Sequence, residues 1–269
     1  MSRRLPAWVT LPAIGVLVFL YAPMLAVGFF SVNNSRFSLE WRGFTLKWYT
    51  GLFQNDVVLE AARNTLLLAV ISTAVSTVLG TLLGIGMSRF DWGRRLRGFL
   101  DFTIYLPVVT PDIIFAAALV VAFSLLRAVS SFFQPGLATM IIAHVTFQIA
   151  FVALVVQSRL ATIGPIIEEA ARDLYANTWY LLRRVMLPLL MPGIVAGAML
   201  AFTLSLDDFI ISFMTAGPNS TTLPIYIYSS LRRGVTPEIH ALSTLVFLAT
   251  VLLVIGLERL TRPSRGNEQ

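Results

Sequence analysis

The chain has 269 residues, of which 57% are hydrophobic and only 13% charged, and its formal net charge is +6. A water-soluble domain of this size carries about 25% charged residues, so the bilayer is the solvent that suits this composition. The absence of cysteine excludes disulfides, iron–sulfur ligation and thiolate zinc sites, and two histidines, His144 and His240, are too few for a histidine-rich metal site.

Six apolar runs each approach the about 20 residues that cross roughly 30 Å of hydrocarbon. The first, 8–32, follows Arg3 and Arg4. It is too long for the core of a signal peptide and has no small-x-small cleavage site behind it, so it reads as a retained anchor. Residues 44–53 (FTLKWYTGLF) mix aromatic and polar side chains as an interfacial helix does. The second run covers 64–87 and the third 100–123, where Pro107 and Pro111 interrupt the pattern and Asp112 follows directly. Two readings stay open there: a simple proline kink, or irregular backbone lining a cavity that satisfies it. The fourth run, 137–156, carries His144, read as a packed polar residue making one hydrogen bond to a neighbouring helix. The fifth, 189–214, has Asp207 and Asp208 well inside it. Residues 222–231 (TLPIYIYSSL) are apolar but too short to cross, and suit a re-entrant or outer gate helix. Thr236-Pro237-Glu238 opens the sixth run, 239–257, with a cap, a proline at the first helical position and an acid that complements the helix dipole. Neither a repeat nor a soluble domain is legible, so 1–269 reads as one all-α transmembrane domain.

Basic residues set the orientation. With the N-terminus inside, thirteen of the 20 Lys and Arg residues fall on the cytoplasmic side, among them Arg3, Arg4, Arg89, Arg94, Arg262 and Arg265. The other seven, including Arg36, Arg42, Lys47, Arg232 and Arg233, fall outside. Both termini and the loop 161–187 are therefore expected in the cytoplasm. This clustering at the ends of apolar runs is a topology pattern and not a nucleic-acid stripe.

That loop holds the one strongly charged island of the interior, Glu168-Glu169-Ala170-Ala171-Arg172-Asp173, with Arg183-Arg184 downstream. Glu168 and Arg172 stand at i,i+4 and Glu169 and Arg172 at i,i+3, a spacing that supports a short helix, and the two alanines keep its surface thin. Such a helix is either a solvated connector or a handle for a soluble partner. The single lysine, Lys47, follows Leu46 and not glycine, so no G-x-x-x-x-G-K-[ST] phosphate loop can be written. If ATP powers the protein, another chain hydrolyses it.

Glu169-Ala170-Ala171, followed by a helix–turn–helix and Leu187-Pro188, resembles the EAA loop of permease subunits in bacterial ABC importers of the type I fold. The stretches Phe44–Tyr49, Leu106–Asp112, Phe202–Asp208 and Gly234–Ile239 are similar to the second permease subunit of spermidine/putrescine importers. The resemblance implies six transmembrane helices in the bacterial inner membrane, with the loop seated in a cleft of a cytoplasmic ATPase through Glu168, Glu169, Ala170, Ala171, Arg172, Asp173 and Tyr175. It also implies a second permease subunit, as a heterodimer, two copies of the ATP-binding subunit carrying Mg-ATP, and an external substrate-binding protein, with no cofactor on this chain, membrane lipid around it and no nucleic acid. One departure stands out. The family places glycine six positions after the glutamate, and this chain has Tyr175. Tyrosine adopts positive φ poorly, so the turn is expected to shift or to transfer the unusual conformation to Asn177.

A carboxylate at membrane depth costs about 2.5–3.5 kcal/mol on insertion scales, so Asp112, Asp207 and Asp208 need a partner or a pathway. No basic residue lies within one helical turn of Asp207 or Asp208. They are either structural acids hydrogen-bonded to a neighbouring helix, or a path for a cation. Acids beside aromatic rings suit a primary ammonium, with Tyr226 and Tyr228 as contributors unless they only form an interfacial belt. Adjacent residues point about 100° apart on a helix, so one of the pair would line the path.

The leading reading is a non-enzymatic permease subunit of an ATP-driven importer, with a small cation such as spermidine or putrescine as substrate. Related permeases carry ferric iron, opines or amino-acid derivatives. An ion-coupled carrier usually shows ten or more spans or inverted repeats. A membrane enzyme would find little chemistry in a chain so poor in His, Cys and Lys.

Overall fold

The computed structural model describes residues 7–35, 40–234 and 236–261. Arg3, Arg4, Arg36, Arg262 and Arg265 of the charge count lie outside them, so the described residues do not test the orientation. Among the described residues the regular structure is helical, with one antiparallel bridge between Asn33 and Phe44 and no strand. Its helices are α1 (Ala7–Ser31), α2 (Lys47–Leu52), α3 (Asp56–Arg89), α4 (Arg94–Val109), α5 (Asp112–Arg127), α6 (Leu137–Ile163) and α7 (Ile166–Asp173). They continue with α8 (Thr178–Tyr180), α9 (Leu187–Asp207), α10 (Ile210–Thr215), α11 (Leu223–Leu231) and α12 (Pro237–Thr261). A π-helical turn, Leu181–Met186, joins α8 to α9.

The described residues form two compact units, one of those up to Leu59 with those from Tyr226 on, the other of Glu60–Ile225. In the first, α1 packs on α12 and α12 on α2. Asn33 holds the link between α1 and α2. Its Oδ1 accepts from Arg42 N (2.9 Å), its Nδ2 donates to the Glu40 carbonyl (2.7 Å), and its own carbonyl accepts from Trp48 Nε1 (2.8 Å). Asn55 Nδ2 donates to Glu238 Oε1 at 3.3 Å, which adds a partner to the helix-start role expected of that acid.

In the second unit α6 is the central post. Ala143, His144, Gln148, Val152, Val156 and Leu160 along it are fully buried, and α9 lies along the same helix. Gly80 and Gly84 let α3 approach α6. A Cβ at Gly80 would stand 2.7 Å from Val152 Cβ, and one at Gly84 2.9 Å from the Ala153 carbonyl oxygen. Lipid tails are as apolar as leucine, so close packing of this kind, with interhelical hydrogen bonds, replaces the hydrophobic effect as the glue between spans.

Two expected spans are broken. In place of one helix over 100–123, α4 and α5 meet at 116°. Pro107 sits inside α4 without ending it, and the break falls at Thr110-Pro111, both extended (ψ 131° and 135°). A proline pushes the residue before it out of the helical region, and Thr110 obeys. The fifth run also stops early. α9 ends at Asp207, Asp208 is extended at ψ 126°, and α10 starts anew at Ile210. The acids therefore sit at a break and not well inside a span. Among the described residues four helices are long and apolar enough to cross a membrane, or five counting the bent pair as one, against six expected. The sixth would be α12, whose apolar stretch covers Pro237–Leu252.

The turn after α7 also departs from expectation. Tyr175 itself takes the left-handed position at φ 60°, and Asn177 is extended at φ −73°, ψ 164°. Tyr175 N donates to the Arg172 carbonyl (2.9 Å) and Ala176 N to that of Ala171 (3.1 Å), the paired bonds of a Schellman motif. Those bonds hold the turn in register and override the residue's own preference. Asn177 caps α8 instead, its Oδ1 accepting from Tyr180 N at 2.8 Å. Tyr175 is 97% exposed, so its ring contributes no packing to offset the strain. Tyr175→Gly should relieve about 1–2 kcal/mol of left-handed strain and lose roughly 0.5–1 in backbone entropy, a net rise in melting temperature in detergent. Tyr175→Val should lower it.

Candidate functional site

Both breaks open onto one cavity of about 450 Å³ in the second unit. Pro107, Thr110, Asp112 and Phe115 line it from the α4–α5 elbow, Phe147 and Phe151 from α6, and Asp207, Asp208 and Phe209 from the α9–α10 break. The cavity-lining reading of the proline segment is the one the structure adopts. It brings Asp112, Asp207 and Asp208 to one wall set, although about 100 residues of sequence separate the first from the others.

The two adjacent acids are held differently. Asp208 Oδ1 accepts from Ile211 N (3.3 Å) and Oδ2 from Ser212 N (2.7 Å), so the carboxylate caps the first turn of α10, whose N–H groups have no intrahelical partner. His144 Nε2 stands 3.3 Å from Asp208 Oδ2, which supplies the basic partner that one helical turn of sequence lacks. Asp207 is exposed on the cavity side of the break.

His144 makes more than the single bond expected. Besides Asp208 it meets Ser205 Oγ on α9 through Nδ1 (2.8 Å) and Ser212 Oγ on α10 through Nε2 (3.0 Å). One turn along, Gln148 donates through Nε2 to the Ala201 carbonyl (3.1 Å) and to Ser72 Oγ (3.3 Å), and its Oε1 accepts from Ser76 Oγ (3.0 Å). Ser72 and Ser205 are 3.3 Å apart, which closes a network across α3, α6, α9 and α10. Phe147 and Phe151 flank this polar face with their rings at 6.3 Å. The spacing His144, Phe147, Gln148, Phe151 puts all four on adjoining rows of α6, a signal present in the sequence but unread there.

Tyr226 and Tyr228 belong to the other unit. Tyr226 lines a cavity of about 180 Å³ there with Ser230, Arg233 and Glu238, and Arg232 lies over the Tyr228 ring at 5.3 Å. The rings at the acid cavity are phenylalanines.

In the loop, Glu169, Ala170, Arg172, Asp173 and Tyr175 are exposed, and Leu174 (83%), Trp179 (67%) and Tyr180 (55%) add apolar surface beside them. Glu168 and Ala171 face inward. Ala171 packs against the cluster of Leu181, Met186 and Leu190, and Glu168 pairs with Arg89 Nε at the end of α3, not with Arg172. Sequence spacing missed Arg89 because it lies almost 80 residues away.

Residues 76–262 match the family model described as "Binding-protein-dependent transport system inner membrane component". The chain belongs to that family. It is 37% identical over 255 residues to the spermidine/putrescine transport system permease protein PotC of Escherichia coli K12, covering 94% of this chain and 93% of that one. It is 41% identical over 229 residues to the putrescine transport system permease protein PotI of the same organism, covering 85% and 81%. The fold matches a chain of a bacterial alginate ABC transporter solved in complex with its alginate pentasaccharide-bound periplasmic protein, with a TM-score of 0.76 at 21% identity over 95% and 93% of the two chains.

The protein is thus an all-α membrane permease with the type I ABC importer fold. The family match takes in both broken helices and the loop between α6 and α9. Within this permease, Arg89–Glu168 is a mostly covered ion pair, with side chains 24% and 13% exposed. Glu168→Ala leaves Arg89 without its carboxylate and should cost about 1–3 kcal/mol of stability. The swap Arg89→Glu with Glu168→Arg should recover most of that loss in detergent melting, where either single reversal does not.

Proposed function

We propose that this permease forms half of an import pathway for a small organic cation, a polyamine of the spermidine or putrescine kind. The observation that carries the reading is the cavity where Asp112 and Asp207 stand among Phe115, Phe147, Phe151 and Phe209. Carboxylates offer charge-assisted hydrogen bonds to ammonium groups, and ring faces offer cation–π contact to the same groups and apolar contact to the methylenes between them. The names of PotC and PotI support the same substrate class.

The proposed assembly pairs this chain with a second permease subunit, two copies of a cytoplasmic ATPase holding Mg-ATP, and an external substrate-binding protein. Both termini and the loop carrying α7 and α8 lie on the cytoplasmic side. The exposed face of Glu169, Ala170, Arg172, Asp173 and Tyr175 seats in the ATPase, and closure of the ATPase pair moves α7. Glu168 carries that movement to α3 through Arg89, and α3 is bonded through Ser76 to Gln148 on α6 and through Ser72 to Ser205 on α9, the helices that carry the cavity's Phe147, Phe151 and Asp207. Such a chain biases two discrete arrangements of the permease, and ATP binding selects between them.

Two measurements test the halves of this reading. Glu169→Lys should abolish ATP-driven putrescine uptake while the protein still inserts in the membrane, and wild-type uptake in that variant would remove the coupling role. Asp112→Asn should raise the KM for putrescine by about tenfold, the worth of one charge-assisted hydrogen bond.

A further inference from the structure

Asp207 and Asp208 are adjacent in sequence and line the same cavity, yet their surroundings differ in kind. Asp208 has three donors on its two oxygens: Ile211 N, Ser212 N and His144 Nε2, at 3.3, 2.7 and 3.3 Å. Its side chain is 9% exposed. Three of the roughly four lone-pair sites of that carboxylate are taken, and so little of the side chain is open that an ammonium group finds few ways to approach it. Asp207 takes part in no ion pair among the described residues and is exposed at the end of α9.

His144 cannot meet a substrate itself, because it is fully buried. Its two ring nitrogens reach both sides of the break, Ser205 on α9 and Ser212 on α10, and one of them reaches the carboxylate between. An imidazole with Nε2–H directed at Asp208 and Ser212, and with Nδ1 accepting from the Ser205 hydroxyl, satisfies all three partners. The ring therefore pins the two helix ends and the extended residue that joins them. The direction in which Asp207 leaves α9 follows from that clamp.

We propose that the two aspartates divide the work: Asp207 is the cation-contacting carboxylate, Asp208 is a structural clamp, and His144 is a positioning residue that aims Asp207 through Asp208. The proposal rests on the reading of the cavity as a cation site. It sharpens that reading, since the carboxylates left for the substrate are Asp112 and Asp207, one from each break.

The test compares Asp207→Asn, Asp208→Asn, His144→Gln and His144→Ala in the assembled transporter, reading KM and Vmax for radiolabelled putrescine in proteoliposomes and melting temperature in detergent. Asp207→Asn should raise KM about tenfold or more with little change in melting. Asp208→Asn keeps one oxygen for the cap, so it should fold, melt about 2–4 °C lower or more, and raise KM by a small fraction of the Asp207 effect. His144→Ala should lower melting and raise KM together, and His144→Gln, which retains a donor and an acceptor, should recover part of both. The melting losses of Asp208→Asn and His144→Ala should be less than additive in the double variant.

Equal KM increases from Asp207→Asn and Asp208→Asn at unchanged melting would overturn the division of roles. Additive melting losses would overturn the clamp. If the clamp behaves as expected but Asp207→Asn leaves KM unmoved, the cation reading itself falls, and with it the role given to Asp207.

Discussion

The placement of α3, α6, α9 and α10 depends on one constraint: a polar side chain at membrane depth is stabilised by a partner within the protein. Hydrocarbon offers no hydrogen bonds, so each unsatisfied group costs several kcal/mol. The polar face of α6, His144 and Gln148 one turn apart, supplies partners to four serines and one backbone carbonyl at once. Because the partners are spread over α3, α9 and α10, on both sides of the α9–α10 break, satisfying them fixes the relative placement of α3, α6, α9 and α10. Close approach at Gly80 and Gly84 then becomes possible, and it brings α3 near enough for Ser72 and Ser76 to reach.

The same requirement explains why two helices can break inside an apolar chain. At Thr110-Pro111 the proline has no N–H to leave unpaired, and its carbonyl accepts from Ile114 and Phe115 to start α5. At Asp208 the orphaned amides of α10 are taken by the carboxylate itself. Each break thus supplies its own partners and frees an acid for the cavity between them. A continuous helix would have buried its polar backbone and offered the cavity only side chains at fixed helical spacing.

The loop between α6 and α9 obeys a different economy, since it lies at the edge of the packed core. Ala171 and Glu168 anchor α7 inward while the rest of its charged face stays open. The Schellman bonds hold the turn with a tyrosine at a left-handed position that glycine would suit better. Strain at one exposed residue, about 1–2 kcal/mol, is smaller than the loss of two backbone bonds and a shifted α8.

Composition alone determined that this is a membrane protein, because nothing but a bilayer accommodates so apolar a chain. The existence of α1, α2, α6, α7 and α11 also followed from local signals: run length, aromatic mixing, i,i+4 charges. Sequence periodicity could not show that the runs 100–123 and 189–214 are broken, since Leu, Val and Phe read as apolar on either side of a bend. Nor could it separate Asp207 from Asp208, whose difference lies in a histidine more than 60 residues away. Arg89 beside Glu168 and the phenylalanines beside Asp112 are of the same kind. Local chemistry chose the elements. The pairing of buried polar groups, which depends on which helices touch, was decided only by the tertiary structure.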